Sequence, residues 1–584
     1  MWKKITALSL LLSVLLLYGC ADPQAGDKTD TAEPIADADT IFTERDFDAS
    51  YDDASCVSIT LADGDCYANS DTVVIAGDTV TITQAGCYWI TGTLTNGALV
   101  VSVPKNDKVQ LVFSGVSIQN ETHAALYVRE AEKVFLTLEE GTENTLVNGG
   151  VFTQTDENEV DAALFSKEDV TINGNGTLTV SSPVGHGIVS KDTLKLTGGV
   201  IQVMSASHGI VGKDSLCACN TTVIAQTGKD GLHAENNDDG ALGYVYIDSG
   251  SYTLTSEGDG ISASGKMQIN GGAFTIVAGG GSENGEDKTS DEWGNMPGGM
   301  PGGFPGGMRP GGRGATGTMT SAEDSTSIKG IKSGDDLLIN GGDFTIDAAD
   351  DAVHSNACLS VFAGNFAIET GDDGFHSDET LSVLNGTITV AESYEGLEGL
   401  HVFVSGGNVT LVCDDDGINA AGGTDGSGMG GFRGNDAFGG GASNGSITIS
   451  GGTLCIRASG DGIDANGSLL ISGGHTTVCG PTSGDTATLD YDTSAMITGG
   501  VFIGTGASMM AQSFSAGEQG IIALQVGNQA ANTKFSVLDA DGTVLLEYAP
   551  PLSYQIMIYS APSLKKGESY TVSIGTYSGA FEAR

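Results

Sequence analysis

Residues 337–358 read LLINGGDFTIDAADDAVHSNAC, and residues 359–380 read LSVFAGNFAIETGDDGFHSDET. Placed one above the other, these two stretches of 22 residues agree at their apolar positions, at a glycine turn and at an acidic pair near the end. The same pattern continues downstream from Leu381 and again from Val402. A fixed period of this length is typical of a repeat architecture, in which each copy is one structural unit stacked on the last.

Apolar residues alternate with polar ones inside each unit, on both sides of the glycine turn. Alignment on Gly342, Gly364, Gly386 and Gly407 leaves five positions apolar in all four units: Leu337/Leu359/Leu381/Val402, Ile339/Val361/Val383/Val404, Phe344/Phe366/Ile388/Val409, Ile346/Ile368/Val390/Leu411 and Val353/Phe375/Leu397/Ile418. Alternation with period two predicts short strands. Because one unit cannot bury such a stripe alone, the units must stack. The sequence therefore predicts an all-β fold: a right-handed parallel β-helix with coils of about 22 residues and a small C-terminal β cap.

The N-terminal residues have the composition of a processing signal. Two lysines precede an apolar run that ends in Leu17-Tyr18-Gly19-Cys20. This predicts a lipoprotein signal peptide over residues 1–20 with Cys20 as the lipidated residue, an ordinary secretory signal being the alternative. We therefore expect a protein that is lipid-anchored to the membrane and lies on the extracellular face of the cell envelope.

Shifts in composition divide the rest of the chain. Residues 21–70 are predicted to be a flexible acidic tether, residues 71–510 the parallel β-helix, and residues 511–584 the C-terminal β cap. Two Gly-rich insertions, at 279–325 and 422–445, interrupt the repeat. Among the ten cysteines, Cys56, Cys66 and Cys87 are close enough in sequence for one disulfide, but the pairing stays open.

The net charge is strongly negative. The formal value is −49, although only 17% of residues are charged, and 88 residues are glycine. Such a chain repels nucleic acid and anionic membrane surfaces, so no nucleic-acid partner is expected. Divalent cations and neutral partners are compatible with it.

Acidic residues recur at the turn that precedes each repeat of the motif. They are Asp350, Asp351, Asp372, Asp373, Glu395, Asp415 and Asp416. Stacked coils place such residues about 4.8 Å apart, where two like charges repel by about 3–4 kcal/mol at an effective dielectric constant near 20. Clustered oxygen ligands suit Ca²⁺, so the sequence predicts a calcium site in this set. Each Asp-Gly taken alone is also favourable turn chemistry, and Asp230, Asp259 and Asp461 keep that reading.

Other polar residues of the same repeats are candidate ligand-binding groups: Lys332, His354, His376, Tyr394 and Glu398. Together with Asp378 and Asn419, Glu398 could also supply oxygens to a cation. The histidines, which share one position of the motif with His233, are most simply a solvent-facing polar ladder, with a sugar-contacting row as the alternative. Tyr394 beside the acids could stack on a sugar ring.

Several motifs together resemble a family of bacterial surface β-helix proteins that bind acidic sugars and cellulose. The resemblance covers roughly residues 70–584 and rests on the segments Tyr88–Leu94, Leu164–Lys167, Asp350–Asn356, Tyr394–Gly399 and Gly460–Asn466. It implies a calcium-binding carbohydrate-binding module, similar in fold to pectate lyases, with the seven acids named above at the acidic motif positions.

These observations favour a non-catalytic protein that binds polysaccharide with Ca²⁺. A polyuronate would be repelled by the negative chain unless calcium bridges the carboxylates of both partners. The first alternative is a calcium-dependent polysaccharide lyase, which needs a base such as Lys332 or Lys329. The second alternative is a structural surface spacer or adhesin stabilised by calcium.

Overall fold

A computed structural model describes residues 31–35, 38–236, 238–285, 327–421, 444–484 and 486–584. The described chain is nearly all β, with one 47-stranded sheet and one 4-stranded sheet. Pairing in the large sheet is parallel along almost its whole length, which confirms the all-β, β-helix-like prediction. The predicted signal peptide, Cys20 and most of the two insertions lie outside the described residues.

The strands of the large sheet fall into three sets, and each set is a column of strands paired from one coil to the next. The first set comprises Thr79–Ile82, Ala98–Ser102, Leu126–Glu130, Ala162–Ser166, His186–Ser190, Ile210–Gly212, Leu232–Ala234, Ile261–Ala263, Ile331–Ser333, Val353–Ser355, Phe375–Val383, Leu397–Val404, Ile418–Asn419, Asp464–Ala465 and Asp490–Tyr491. The strands Phe375–Val383 and Leu397–Val404 continue into the second set.

The second set otherwise comprises Val57–Ala62, Gly86–Leu94, Lys108–Asn120, Lys133–Leu138, Asp169–Gly174, Thr193–Leu196, Ser215–Ala218, Tyr244–Ile247, Met267–Ile269, Leu337–Ile339, Leu359–Val361, Gly445–Ile449, Gly467–Ile471, Ser494–Ile497 and Ala516–Gly517. The third set continues from the end of Lys108–Asn120 and comprises Glu143–Asn148, Thr177–Ser182, Val200–Ser205, Thr221–Thr227, Gly250–Ser256, Ala273–Ala278, Asp343–Ala348, Asn365–Thr370, Thr387–Glu392, Asn408–Cys413, Thr453–Ala458, His475–Cys479 and Val501–Gly506.

The core consists of the inward-facing residues of all three sets. The five predicted apolar columns are buried, and their members pair in register with the next coil, as Val353 does with Phe375 and Leu337 with Leu359. Aromatic rings stack along one column, with 4.7 Å between the ring centroids of Phe274 and Phe344. Each inward position therefore packs against the same position of its neighbours.

A glycine with positive φ directly precedes the third-set strand in each of the four aligned units. At Gly364 φ is +133°, and an added Cβ would lie 2.9 Å from the ring of Phe366. A side chain there would be strained by the backbone and would also collide with the aromatic column. This explains why the alignment on these glycines works.

The predicted tether over residues 21–70 is wrong for its described C-terminal part. Residues 38–47 contain two short helices, Ala38–Ile41 and Glu44–Phe47, which lie on the second strand set. Asp46 is fully buried, and its carboxylate contacts Lys133 Nζ at 2.7 Å and Lys195 Nζ at 3.1 Å. Residues from Val57 onward already form strands of the large sheet. Composition alone missed this segment because its polar and apolar contacts are made with residues far along the chain.

Both ends of the large sheet carry antiparallel strands. Near the start, Tyr67–Ala68 pairs with Val57–Ala62 and Val73–Ala76 pairs with Thr79–Ile82. A disulfide joins Cys56 and Cys87, as one of the open pairings predicted, and Cys66 is free.

At the C-terminal end, Tyr554–Ser560 pairs with Val501–Gly506 and with Ile521–Gln529. A separate antiparallel sheet follows, formed by Phe535–Leu538, Val544–Tyr548, Ser569–Ile574 and Tyr577–Glu582. A single-turn 3-10 helix, Ser282–Asn284, lies at the start of the first insertion. No helix in the described ranges is long and apolar enough to cross a membrane.

Candidate functional site

One column of residues lies immediately before the first strand set, and we call it the ladder column. Backbone hydrogen bonds join its members from coil to coil. In each coil, the residue after the ladder residue donates its N–H to the carbonyl of the ladder residue in the next coil, as Gly330 does to Asp351 and Ala352 does to Asp373. The members are His186, His208, Asp230, Asp259, Lys329, Asp351, Asp373, Glu395, Asp416 and Asp461. Acids that are distant along the chain thus lie side by side.

Many ladder carboxylates have a structural partner on the next coil. An Oδ1 atom of Asp230 accepts from the backbone N–H of Asp259 at 2.9 Å, and Asp259 Oδ1 accepts from Lys329 N–H at 2.8 Å. Asp351 Oδ1 likewise accepts from Asp373 N–H at 3.1 Å. One oxygen of each acid satisfies a buried amide. The other oxygen remains for a side chain or a cation.

Lys329 takes the place of an acid in the ladder column and divides it in two. Its buried Nζ lies 2.7 Å from Asp351 Oδ2 and 3.1 Å from Asp350 Oδ2. Burial by itself disfavours the charged carboxyl, but Lys329 and His354 hold the pKa of Asp351 well below its usual range. An internal ammonium therefore already neutralises two of the predicted calcium ligands. Because this ammonium touches two carboxylates, Lys329 is poorly suited to act as a base.

A second column, which we call the outer column, consists of the residues three positions after each ladder residue. Strand pairing joins His233, Ser262, Lys332, His354, His376, Glu398, Asn419 and Asp464 in this order. The reading of its histidines as a solvent-facing ladder is wrong for His354 and His376, which are buried and stack at 4.7 Å between ring centroids.

Each of these two histidines is held by acids. His354 Nδ1 lies 2.8 Å from Asp351 Oδ2. His376 Nδ1 lies 3.0 Å from Asp373 Oδ2 and 2.6 Å from Glu398 Oε2. Although burial lowers the pKa of His376, its carboxylate partners raise that pKa well above the usual value. The carboxylates thus favour the charged form of His376, which offsets part of their negative charge.

Beyond His376, the columns contain mainly carboxylates. Burial and Glu398 raise the pKa of Asp373, burial and neighbouring acids raise that of Glu395, and burial with Asp461 raises the pKa of Asp416 to about 9. Within the described ranges, no Lys or Arg forms an ion pair with Glu395 or Asp416. The described residues of these coils thus supply more carboxyl groups than cationic partners, and in the absence of a cation the raised pKa values favour their protonated forms.

The carboxyl groups of Glu395, Asp415, Asp416, Asp461 and Asp464 form a set that we call the acidic centre. Its geometry suits a hard cation. The carboxylates of Asp416, Asp461 and Asp464 approach to within 4.8 Å of one another. At Gly460 an added Cβ would lie 2.1 Å from Asp415 Oδ1 and 2.5 Å from Asp416 Oδ1, so two carboxylates converge on a residue without a side chain. Glu395 Oε2 is buried, and no described residue donates a hydrogen bond to it, while Oε1 accepts from Asn419 at 3.1 Å. Carboxylate oxygens that converge in this way are the ligands that Ca²⁺ prefers.

The other predicted site residues lie in or beside the two columns. Asp350, Asp372, Tyr394 and Asp415 form the row directly before the ladder column, and the N–H of Tyr394 donates to Asp372 O while its own carbonyl accepts from Asp415. Lys332 occupies the outer column between Ser262 and His354. The structure thus brings all the predicted residues other than Cys20, which lies outside the described ranges, to one edge of the first strand set.

Asp461 and Asp464 were not predicted as cation ligands. Their motif, Asp461-Gly462-Ile463-Asp464, aligns with Asp416-Gly417-Ile418-Asn419, and the signal was present in the sequence. The insertion at 422–445 breaks the 22-residue step between them, so the alignment treated the later copy as an outlier. Pairing of Asn419 with Asp464 restores the register in the fold.

Comparison with known proteins gives consistent results. A family model described as "Carbohydrate-binding domain-containing protein" matches residues 76–374 and 372–544. A protein of Acetivibrio thermocellus (strain ATCC 27405) with the same description is 30% identical over 203 residues, which are 34% of this chain. The match spans 65% of the length of that relative.

A solved structure titled "Structure of the polysaccharide lyase-like protein from C. thermocellum, Gadolinium derivative" is 31% identical, with a TM-score of 0.38, over 38% of this chain and 92% of the other. The family model, in contrast, extends over most of the strands and over both columns described above. The chain is therefore a member of the carbohydrate-binding domain-containing protein family.

Proposed function

We propose that the protein binds polysaccharide without cleaving it, that binding depends on Ca²⁺, and that the preferred ligands are acidic sugars such as polygalacturonate, with cellulose as a further ligand. The observation that supports this most is the acidic centre, where Glu395 Oε2 has no described donor and the pKa of Asp416 is raised to about 9. A divalent cation would remove that electrostatic cost. Membership of the family supports the carbohydrate part of the proposal.

Calcium bridging gives a mechanism by which a chain of charge −49 retains an anionic polymer. A cation held by Asp416, Asp461 and Asp464 would offer its remaining coordination positions to uronate oxygens. Glu398, one coil from Asn419 in the outer column, would contact the sugar, and Lys332 would contact it farther along the same column. His376 is buried and would act only through its contact with Glu398. Tyr394, half-buried in the row before Glu395, would supply a stacking surface.

Retention on immobilised polygalacturonate, measured with calcium and with excess chelator, tests this proposal. We expect retention in calcium, loss in chelator, and loss in calcium for Asp416→Asn. Asp343→Asn is the matched control, because Asp343 is exposed on the third strand set and lies away from both columns. Retention that is the same in chelator as in calcium would contradict the calcium bridge.

The two alternative functions, a polysaccharide lyase and a structural spacer, predict different results when the protein is mixed with polygalacturonate. A lyase would release unsaturated product with ultraviolet absorbance, and Lys332→Ala would abolish that release. A structural spacer would be stabilised by calcium but would not be retained on any glycan. Neither alternative is favoured by a particular contact in the described residues.

The finer features of architecture and location belong to the same proposal. We infer right-handed coils of about 22 residues, since pairs such as Val353 and Phe375 are 22 residues apart and parallel crossovers are almost always right-handed. We also propose that Cys20 is lipidated and holds the protein on the extracellular face of the cell envelope. Labelling with a clickable fatty acid, with Cys20→Ala as control, tests the anchor.

A further inference from the structure

A stack of three histidines lies at the N-terminal end of the two columns, away from the acidic centre. His186 and His208 belong to the ladder column, and His233 lies in the outer column, where it pairs with Val211 of the preceding coil. The ring centroids are 5.2 Å apart between His186 and His208 and 4.2 Å apart between His208 and His233. Three of the eight histidines of the chain are therefore in contact in one place.

Two of these rings share one carboxylate. Asp230 Oδ2 lies 2.6 Å from His233 Nδ1 and 3.3 Å from His208 Nδ1, and Asp230 is buried. The backbone N–H of Asp230 donates to His208 Nδ1 at 3.2 Å, so this nitrogen carries a lone pair and no proton. A metal would take this lone pair in place of the long hydrogen bond. An unprotonated imidazole nitrogen is the form that binds a metal.

The spacing of these donors suits a tetrahedral transition metal. Ligands about 2.0–2.1 Å from Zn²⁺ at tetrahedral angles are about 3.3 Å apart, which is the separation seen between His208 and Asp230. His233 and Asp230 are closer because they share a proton, and exchanging this proton for a metal would widen the contact by about 0.7 Å. All three donor atoms lie within 4.8 Å of one another.

The residues around His208, Asp230 and His233 make contacts of the kind that surround metal ligands. Glu235 Oε2 lies 3.3 Å from His233 Nε2, an arrangement in which a carboxylate orients a ligating histidine from its far side. His186 Nε2 lies 3.6 Å from Asp161 Oδ2, while His186 Nδ1 and Asp161 Oδ1 are buried with no hydrogen-bond partner among the described residues. The stack is thus under-satisfied as it stands.

We propose that His208, Asp230 and His233 form a second metal site, which takes a borderline transition metal such as Zn²⁺, Co²⁺ or Ni²⁺ rather than calcium. The two nitrogen donors distinguish it from the oxygen-only acidic centre, because imidazole suits zinc-like ions and carboxylate oxygen suits Ca²⁺. The other histidine group, Asp351, His354 and His376, is a poorer candidate. Its shared carboxylate already contacts Lys329 Nζ at 2.7 Å, and that ammonium repels a cation.

Metal binding to the full chain tests the proposal. Calcium is kept in excess to occupy oxygen sites, Zn²⁺ binding is measured by titration calorimetry, and Co²⁺ binding by its visible absorption bands. We expect one tight equivalent with nitrogen-ligated tetrahedral Co²⁺ bands. His208→Gln and His233→Gln should each weaken Zn²⁺ binding by about 100-fold or more, and Glu235→Gln by about 10-fold to 100-fold.

Two control variants locate the site. His475→Gln changes an exposed histidine on the third strand set, and the double variant His354→Gln/His376→Gln removes the other buried pair; both should bind Zn²⁺ as the wild type does. Far-ultraviolet circular dichroism checks that His208→Gln and His233→Gln remain folded. Absence of tight Zn²⁺ binding in the wild type, retained binding in both single variants, or loss in the double variant would each overturn the proposal.

Discussion

Asp416→Asn is a substitution that we expect to stabilise the protein in the absence of calcium, although it replaces a buried native residue. Asp416 is 9% exposed, and its Oδ1 accepts the backbone N–H of Asp461. Burial, followed by the charges of Asp461, Asp415 and Asp464, raises its pKa to about 9. Asparagine keeps the oxygen that accepts from Asp461 and removes the charge. The variant therefore isolates the electrostatic cost of one buried carboxylate.

The sign of the pH dependence follows from the two protonation states. An unfolded aspartate has a pKa of about 3.9, so between about pH 4 and about pH 9 the folded protein holds a proton that the unfolded chain releases. This contribution to stability is fully present below pH 4 and decreases as pH rises through that window. Each pH unit costs up to about 1.4 kcal/mol, so the free energy of unfolding in chelator falls by up to about 4 kcal/mol from pH 5 to pH 8. Proton sharing with the neighbouring acids makes this an upper bound.

Urea unfolding at both pH values, with chelator and with calcium, measures the effect. In chelator at pH 8 we expect Asp416→Asn to be more stable than the wild type, with a shallower decrease in stability between pH 5 and pH 8. In calcium the order reverses, because the ion stabilises only the charged site. A wild type whose stability in chelator is the same at pH 5 and pH 8, or an Asn variant that is less stable in chelator at pH 8, would refute the electrostatic account.

Three further substitutions test other contacts. Lys329→Met leaves Asp350 and Asp351 without their ammonium and should lower the free energy of unfolding by about 3–5 kcal/mol, with partial recovery in calcium, as measured by urea unfolding. Asp46→Ala removes the carboxylate that pairs with Lys133 and Lys195, and we expect a similar loss of unfolding free energy. Limited proteolysis should then cleave the chain earlier near residue 46. Unchanged cleavage would show that these ion pairs do not hold the segment in place. Phe344→Ala opens the aromatic column and should cost about 3–5 kcal/mol, whereas the exposed neighbour Thr345→Ala should cost less than about 0.5 kcal/mol in the same thermal unfolding experiment.

The period of the sequence predicted much of this architecture because inward positions repeat. Val353, Phe375 and Leu397 are each apolar and each occupy the same place in a coil, so alignment alone places them in one column. The acids were placed by the same logic, and Asp351, Asp373, Glu395 and Asp416 do lie in one column. Domain boundaries within the first 70 residues were not predictable in this way, because Asp46 contacts coils far along the chain through polar groups that have no period.

The sequence could not show which acids lack a counterion. Lys329 and Asp461 both precede a glycine and an isoleucine, but the first is an ammonium buried between two carboxylates and the second is a carboxylate among others. Charge balance depends on distances of a few ångströms between side chains on neighbouring coils. A one-dimensional alignment does not contain these distances.

The ladder column indicates how one fold can carry different chemistry along its length. Its backbone hydrogen bonds are the same whether the residue is His208, Lys329 or Asp416, because the amide that follows the residue makes the link. The side chain is therefore free to change from one coil to the next while the inward residues keep the strands in register. Along this column, His186, His208, Asp230 and Asp259 lie on one side of Lys329, and only acids lie on the other side. Lys329 therefore lies between a group with nitrogen donors and a group with oxygen donors. The two metal sites that we propose on this sheet edge follow from that order, and we expect exchange of single ladder residues to move the boundary between them without altering the core.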